Sequence, residues 1–270
     1  MNNLAIITVN HSDYENTSEF LESLNNQSKK EFKVFISDNS DKKKDFSYPT
    51  FTDVSKVENR GYAYGLNEGL RKALDQGFKK FVCINNDTTV AYDFVENVLK
   101  SLDKYKKSLI GGKIYYYKGF EYHKDRYESK DLGRILWYAG GNVDWKNALI
   151  RHRGVDEVDK GQYDSFVETS FVTGCLMCFD KELLDVVGFM DDSYFLYFED
   201  ADWNERIKRK ALKLFYDPSI IIWHKNAQST QGSGSKLHVR FQEKNRLKFG
   251  LKYAPLRTKL HLLKNAIIKL

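Results

Sequence analysis

Glu199, Asp200 and Asp202 crowd against the aromatic run Tyr194-Phe-Leu-Tyr-Phe198, and Trp223-His224 follow after a basic helical stretch and a short strand pattern. Aromatic neighbours partly desolvate a carboxylate and raise its pKa, which suits a general base for a hydroxyl group. Upstream, the apolar run Phe81-Val-Cys-Ile84 leads directly into Asn85-Asn86-Asp87. That places a carboxylate at the carboxyl end of a buried strand, where open α/β sheets bind ligands. A metal ligand, a candidate base and a second metal ligand form the inventory for group transfer from a metal-bound diphosphate.

Each of these residues also has a plainer reading. Asn85-Asn86-Asp87 is an oxygen-rich cluster of the kind hard divalent cations accept, or a cap for a helix starting near Ala91. The three acids at a helix start complement the macrodipole whatever else they do. A lone histidine beside Trp223 is as readily packed as ligating. In Asn59-Arg-Gly61-Tyr-Ala-Tyr-Gly65-Leu-Asn67-Glu-Gly69 the glycines recur every four residues. This is neither a dinucleotide fingerprint nor a P-loop; spacing favours close helix packing, while the helix start invites a phosphate. Cys175-Leu-Met-Cys178 has half-site spacing without a second pair, so core packing is the better account.

The elements that must position these groups follow from periodicity. Leu4–Val9 and Phe32–Ile36 read as buried parallel strands joined by a helix around Thr17–Leu24, and the second strand runs into Asp38. A helix over Gly61–Gln76, a strand at Phe81–Ile84, a helix over Tyr92–Leu102 and a strand over Leu109–Tyr117 continue the alternation. That pattern predicts a doubly wound, mostly parallel α/β sheet flanked by helices. Phe120–Tyr163 is irregular and is expected to fold as strands and loops over the carboxyl edge. A short helix over Lys181–Val187, a helix over Asp200–Arg209 and strands at Leu214–Tyr216 and Ile220–Trp223 complete the expected catalytic domain, residues 1–232.

The chain carries 43 basic and 37 acidic residues among 270, a net +6 that does not by itself argue for nucleic acid. The excess is local, because from Lys236 onward ten lysines and arginines face one acid, Glu243. Residues 233–270 are expected to form a basic, amphipathic helical extension, after the Ser/Gly-rich stretch Gln228–Ser235. Its first half is expected to pack on the catalytic domain or to bring Arg240, Lys244 and Arg246 to a diphosphate. Its second half, from Pro255, is expected to touch an anionic membrane peripherally. No run of about 18 apolar residues occurs, and the N-terminus lacks a signal peptide's pattern. Three cysteines with apolar neighbours fit a reducing compartment, so a cytoplasmic protein is expected, peripheral at the inner face of the membrane.

The residues resemble the inverting family 2 glycosyltransferases of GT-A fold, particularly the bacterial rhamnosyltransferase-like branch. The resemblance runs to about His224. Thr8-Val9-Asn10 is similar to the family's nucleotide-binding first strand, Asp38-Asn-Ser40 to its base-reading acid loop, and Asn59 to Gly69, with Gly61 and Asn67, to its glycine-rich stretch beside the sugar nucleotide. Asn85-Asn86-Asp87 stands where the family has Asp-x-Asp, with Asn85 replacing the first acid. Thr173-Gly174 and Gly188-Phe-Met-Asp191 resemble elements that precede the catalytic acids, and Glu199-Asp200-Ala-Asp202 resembles the Glu-Asp-x-Asp signature. The resemblance implies Asp200 as catalytic base with Glu199 beside it, and Asp87 and His224 holding Mg²⁺ or Mn²⁺. It further implies a dTDP- or UDP-sugar donor and a saccharide acceptor, polyprenyl-linked, of a cell-surface polysaccharide, with inversion at the anomeric carbon. A catalytically inactive carbohydrate or nucleotide binder on the same fold is the alternative.

Overall fold

The computed structural model describes residues 3–41, 45–226 and 236–268. The expected linker at Gln228–Ser235 and the boundary at 232/233 lie outside the described residues. The chain opens with β1 (Leu4–Asn10), every residue of which is buried. Successive strand side chains point to opposite faces, so Leu4 and Ile6 enter one core layer with Phe20 and Leu24, while Ala5, Ile7 and Val9 enter the other with Leu66 and Leu70. A continuous apolar run is what a strand covered on both faces requires.

Then follow α1 (Tyr14–Asn25), β2 (Phe32–Asp38), β3 (Thr52–Lys56), α2 (Tyr62–Asp75), β4 (Lys80–Ile84), β5 (Thr88–Val90), α3 (Phe94–Lys104) and β6 (Leu109–Tyr116). The irregular middle supplies β7 (Leu136–Tyr138), the hairpin of β8 (Gly141–Asp144) with β9 (Leu149–His152), and β10 (Val167–Glu168). The chain continues through β11 (Leu176–Asp180), α4 (Lys181–Val187), α5 (Glu199–Arg209), β12 (Leu214–His224), α6 (Lys236–Tyr253) and α7 (Leu256–Ile268). The main sheet runs β10-β12-β6-β11-β4-β1-β2-β3. Within it β3, β2, β1 and β4 are parallel, β6 and β12 are parallel, and β11 runs antiparallel to both β4 and β6. The carboxyl ends of β1, β2, β4 and β12 therefore open on one edge.

Two differences from the sequence reading have local causes. The expected pair of strands at 214–216 and 220–223 is one strand, β12, whose register against β6 shifts between Asp217 and Ile221. Pro218 lacks an N–H for the ladder and falls inside the shift, so the strand bends there without ending. Asn85-Asn86-Asp87 does not cap a helix near Ala91, because β5 intervenes and α3 starts at Phe94. The glycine spacing of α2 reflects close packing, as read. A Cβ at Gly65 would lie 2.8 Å from Val9 Cγ2, and one at Gly69 would lie 2.6 Å from Ile7 Cγ2.

The C-terminal helices dock on this body. Phe249 of α6 is fully buried, between Trp145, stacked at 5.6 Å, and Phe198 at 5.5 Å. Truncating such a residue costs about 3–5 kcal/mol, enough to fix a helix in place. Thr258 and Leu262 face inward from α7, where Thr258 Oγ1 donates to Trp145 O at 2.8 Å. The other flank of α7 leaves Leu256, Leu260 and Leu263 exposed, at 72%, 60% and 42%. No described helix is long and apolar enough to cross a membrane.

Candidate active site

A cavity of about 730 Å³ opens at the carboxyl edge of the sheet. The end of β4 supplies Asn85, Asn86 and Asp87 to its lining, and the end of β12 supplies His224. The segment leading into α5 contributes Phe195 to Asp200, and α6 contributes His238, Phe241 and Gln242. Trp137 and His152, from β7 and β9, close another side.

Asp87 and His224 are buried at 6% and 4% exposure, and Nε2 of the imidazole stands 3.3 Å from Asp87 Oδ1. Neither Asp87 Oδ1 nor either imidazole nitrogen has a hydrogen bond of acceptable geometry. Burial alone would raise the Asp87 pKa, but the imidazole outweighs it and holds the carboxyl below its ordinary value. Burial would lower His224; the adjoining Cys175 sulfur and the Asp87 carboxylate together lift it well above the ordinary histidine range. A buried carboxylate and imidazole lining the cavity side by side fit a hard-to-borderline divalent cation, which would bind with loss of the imidazole's proton. Among the described residues no group of three or more His, Cys, Asp or Glu could hold a metal. Protein ligands are thus too few alone, and a substrate's phosphate oxygens would have to complete the shell, as is usual for Mg²⁺.

The Asn85 oxygen is committed elsewhere. Tyr62 Oη donates to Asn85 Oδ1 at 2.7 Å, so the oxygen of this side chain is turned to α2. Asn86 donates through Nδ2 to Thr17 Oγ1 at 2.9 Å, tying the β4 loop to α1.

The second pair of acids is placed by an unusual entry into α5. Tyr197 and Phe198 both have positive φ, 68° and 69°. Two bulky residues in this region together cost about 2 kcal/mol or more, which surrounding contacts must offset. Tyr62 N donates to Phe195 O at 2.9 Å, and Asn245 Nδ2 donates to Leu196 O and Tyr197 O at 2.7 and 3.0 Å. Gly61, at φ 102°, has no room for a side chain, since a Cβ would lie 2.2 Å from Phe195 O. The result aims Glu199 and Asp200 into the cavity from the first turn of α5. Gly174 N donates to Asp200 Oδ2 at 2.7 Å and Ala201 N to Oδ1 at 2.7 Å. Glu199 Oε2 is buried without a partner.

Burial, then the charge of Asp200, pushes Glu199 up to about 8. Burial also raises Asp200, offset in part by the backbone N–H groups of Gly174 and Ala201. Glu199 is therefore the member that keeps its proton to the higher pH. Hydrogen bonds to the charged form favour Asp200 as the ionised member and Glu199 as the protonated one.

Of the residues expected to meet a nucleotide, Val9, Asn59, Gly61, Asn85 and Asn86 line the cavity. Thr8, Asn10, Asp38 and Asn67 are buried behind it. Asn10 Oδ1 accepts from Asp13 N and Thr17 Oγ1, Asp38 accepts from Tyr14 Oη and Ser40 N, and Asn67 exchanges two hydrogen bonds with the Met190 backbone. Asp202 turns away from the cavity. It is fully buried and accepts from Arg206, Lys252 and Tyr253, which joins α5 to α6. Arg240 and Lys244 are exposed and Arg246 Nε donates to Asn147 O, so α6 presents His238 and Gln242 to the cavity instead.

Sequence reasoning missed several lining groups. His11 Nδ1 lies 3.0 Å from Asn39 Oδ1, and Asn39 Nδ2 donates to Asn59 Oδ1 at 3.3 Å, forming a polar wall after β1 and β2. The polar turn after β1 was its signal. Trp137 packs edge-on against both His152 and His224, at 4.5 and 4.6 Å. Nothing in the irregular middle of the sequence marks either residue. Burial lowers His152 to about 4, so it stays neutral at physiological pH. Cys83 and Cys178 are core thiols as expected, whereas Cys175 also reaches the cavity wall.

The family model for glycosyl transferase family 2 matches residues 4–188, and the chain belongs to that family. The match ends before the α5 acids and His224, which rest on geometry. Over 178 residues the chain is 23% identical to dTDP-rhamnosyl transferase RfbF of Shigella flexneri, covering 64% of this chain and 53% of that protein. The chain thus spans about half the length of this curated relative. Among solved structures it is similar to GalNAc-T7 with UDP, GalNAc and Mn²⁺, with TM-score 0.62 and 14% identity over 89% of this chain and 47% of that one. It is also similar to the mannosyltransferase PcManGT of Pyrobaculum calidifontis in complex with GDP-Man and Mn²⁺, with TM-score 0.56 and 16% identity over 99% of this chain and 70% of that one. These likenesses establish the GT-A glycosyltransferase fold.

Proposed function

We propose that the chain is an inverting, metal-dependent glycosyltransferase that moves a sugar from a nucleoside diphosphate to a hydroxyl of a lipid-linked saccharide. The observation that carries this reading is the convergence of the Asp87–His224 couple and the Glu199–Asp200 pair on one cavity at the carboxyl edge. Asp87 and His224 would hold Mg²⁺ or Mn²⁺, which when bound offsets the charge growing on the leaving diphosphate. Asp200 accepts the proton of the acceptor hydroxyl. The oxygen then bonds to the anomeric carbon from the face opposite the diphosphate as the carbon–phosphate-oxygen bond breaks, so configuration inverts. Glu199, protonated, keeps a second negative charge away from the approaching donor. Val9, Asn59, Gly61, Asn85 and Asn86 are the residues of the cavity wall proposed to bind the nucleotide, the Asn85 oxygen being held by Tyr62. Thr8, Asn10, Asp38 and Asn67 shape that wall from behind.

The relative from Shigella favours dTDP-rhamnose as the donor to try first, with UDP-sugars next. Residues 1–232 would form the catalytic body and 233–270 an extension whose first helix completes the cavity. The exposed leucines of α7, interspersed with Arg257, Lys259 and Lys264, suit peripheral contact with anionic lipid at the cytoplasmic face, beside a polyprenyl-linked acceptor. One observation favours the binding-module alternative, namely that Asn85 occupies an acid's position and its oxygen is already engaged. Incubation with a panel of sugar nucleotides and Mn²⁺ decides. Release of nucleoside diphosphate is expected from wild type and lost with EDTA or in D200N. No release from any donor would leave the binding module standing.

A further inference from the structure

We infer that Asn245 is a positioning residue for the catalytic acids, acting from α6 on a turn some fifty residues earlier in the chain. The inference rests on the reading of Asp200 as the base. Its physical ground is separate from that reading.

The turn Leu196-Tyr197-Phe198 delivers Glu199 and Asp200 to the cavity with two consecutive aromatic residues in the left-handed region. Such a conformation persists only where neighbours over-determine it. Asn245 is 2% exposed, and its carboxamide nitrogen reaches both Leu196 O and Tyr197 O, the two carbonyls that flank the first reversal. A carboxamide is suited to the place because its NH₂ group carries two donors on one atom. An aspartate of the same shape would set a carboxylate against two carbonyl oxygens, and an alanine would leave both carbonyls without their donor. From the opposite side Tyr62 N holds Phe195 O, so the turn is pinned by α2 and α6 together.

α6 has other anchors that do not touch the turn's backbone. Arg246, the next residue, donates to Asn147 O at 2.9 Å in the irregular middle of the chain. Losing Arg246 weakens helix docking without freeing the carbonyls of Leu196 and Tyr197. This neighbour separates a role in holding the turn from a role in holding the helix.

The test compares full-length N245A, N245D and R246A with wild type. Amide hydrogen exchange is followed across residues 196–202, and turnover is read as dTDP release from dTDP-rhamnose with Mn²⁺. Exchange in that segment is expected to quicken about tenfold in N245A and N245D and to stay near wild type in R246A. The kcat of N245A is expected to fall at least tenfold with the donor KM within a factor of two. Should N245D fail to fold, N245A, which only truncates, carries the comparison. Unchanged exchange at 196–202 in N245A, or equal losses in R246A, would overturn the assignment. A D200N enzyme that turned over at the wild-type rate would instead remove the base reading, and the exchange result would still decide whether Asn245 holds the turn.

Discussion

The backbone N–H of Gly174 donates to Asp200 Oδ2 at 2.7 Å, so the loop before β11 presses directly on the second acid of α5. A Cβ at Gly174 would lie 3.2 Å from Asp200 Cβ and 3.3 Å from Oδ2. The acid has little room to retreat, since Ala201 N holds its other oxygen.

Gly174→Ala is therefore expected to displace the Asp200 carboxylate by a few tenths of an ångström. With Asp200 as the proposed base, misplacement on that scale costs a large factor in rate, and we expect kcat to fall about tenfold or more. Donor affinity should hold, because the methyl group touches the acid and not the Asp87–His224 couple. Isothermal titration with dTDP or UDP in Mn²⁺, set beside turnover, checks the split. Equal loss in both would place Gly174 in donor binding.

Glu199 gives a pH dependence of known sign. Its carboxyl is raised from an ordinary 4.5 to about 8, mainly by burial and then by Asp200. The folded protein keeps a proton that the unfolded chain releases above about pH 4.5, so stability falls as pH rises from there to about 8 and is flat beyond. Glu199→Gln removes this loss. The variant should come near wild type around pH 5 and exceed it by a margin that grows with pH toward about 5 kcal/mol near pH 8.5, since the rise from 4.5 to about 8 is worth about 1.4 kcal/mol per pH unit, seen as a Tm higher by about 10 °C or more. A difference that is constant with pH would mean that Glu199 is ionised in the fold.

Asp202 belongs to the same tetrad of residues but serves the packing of α5 on α6. Its carboxylate is fully buried and takes hydrogen bonds from Arg206 at 3.0 Å, Lys252 at 2.6 Å and Tyr253 at 2.9 Å. Removing it strands those donors, so Asp202→Ala is expected to cost about 3 kcal/mol, or roughly 6–12 °C in Tm. In the fraction that remains folded, donor affinity should be near wild type. Loss of donor binding without loss of Tm would show that Asp202 faces the substrate.

What the sequence discloses and what it hides divide along physical lines. Buried strands that end in polar residues are visible in a single chain, so the end of β4 at Asn85–Asp87 and the end of β12 at His224 could be read directly. β3 could not, because Thr52-Asp-Val-Ser-Lys56 is a half-exposed edge strand without an apolar run. Three residues of β5 are too few to show a period. The acids of α5 were legible as a cluster, but their opposite roles were not, since those depend on Lys252 and Tyr253 reaching Asp202 and on Gly174 reaching Asp200. Trp137, His152 and Asn245 act across long stretches of sequence, and only the folded chain brings them to the cavity or to the turn beside it.

The exposed flank of α7 supports the last prediction. Leu256, Leu260 and Leu263 follow one another by four and three residues, which puts them on one stripe of the helix, while Thr258 and Leu262 are turned into the protein. Leucines that fold the domain would be buried, and these are not. With Arg257, Lys259 and Lys264 beside them the stripe has the composition of an interfacial helix, in which clustered cations add about 1 kcal/mol each near an anionic surface. Full-length protein should cosediment with vesicles containing phosphatidylglycerol, and the double variant L260E/L263E should lose most of that binding without change in Tm or in turnover of a water-soluble acceptor. Raising salt should weaken the wild type by screening the cations, leaving the leucines' share. Equal sedimentation of both proteins, or none of either, would assign the stripe to some other surface.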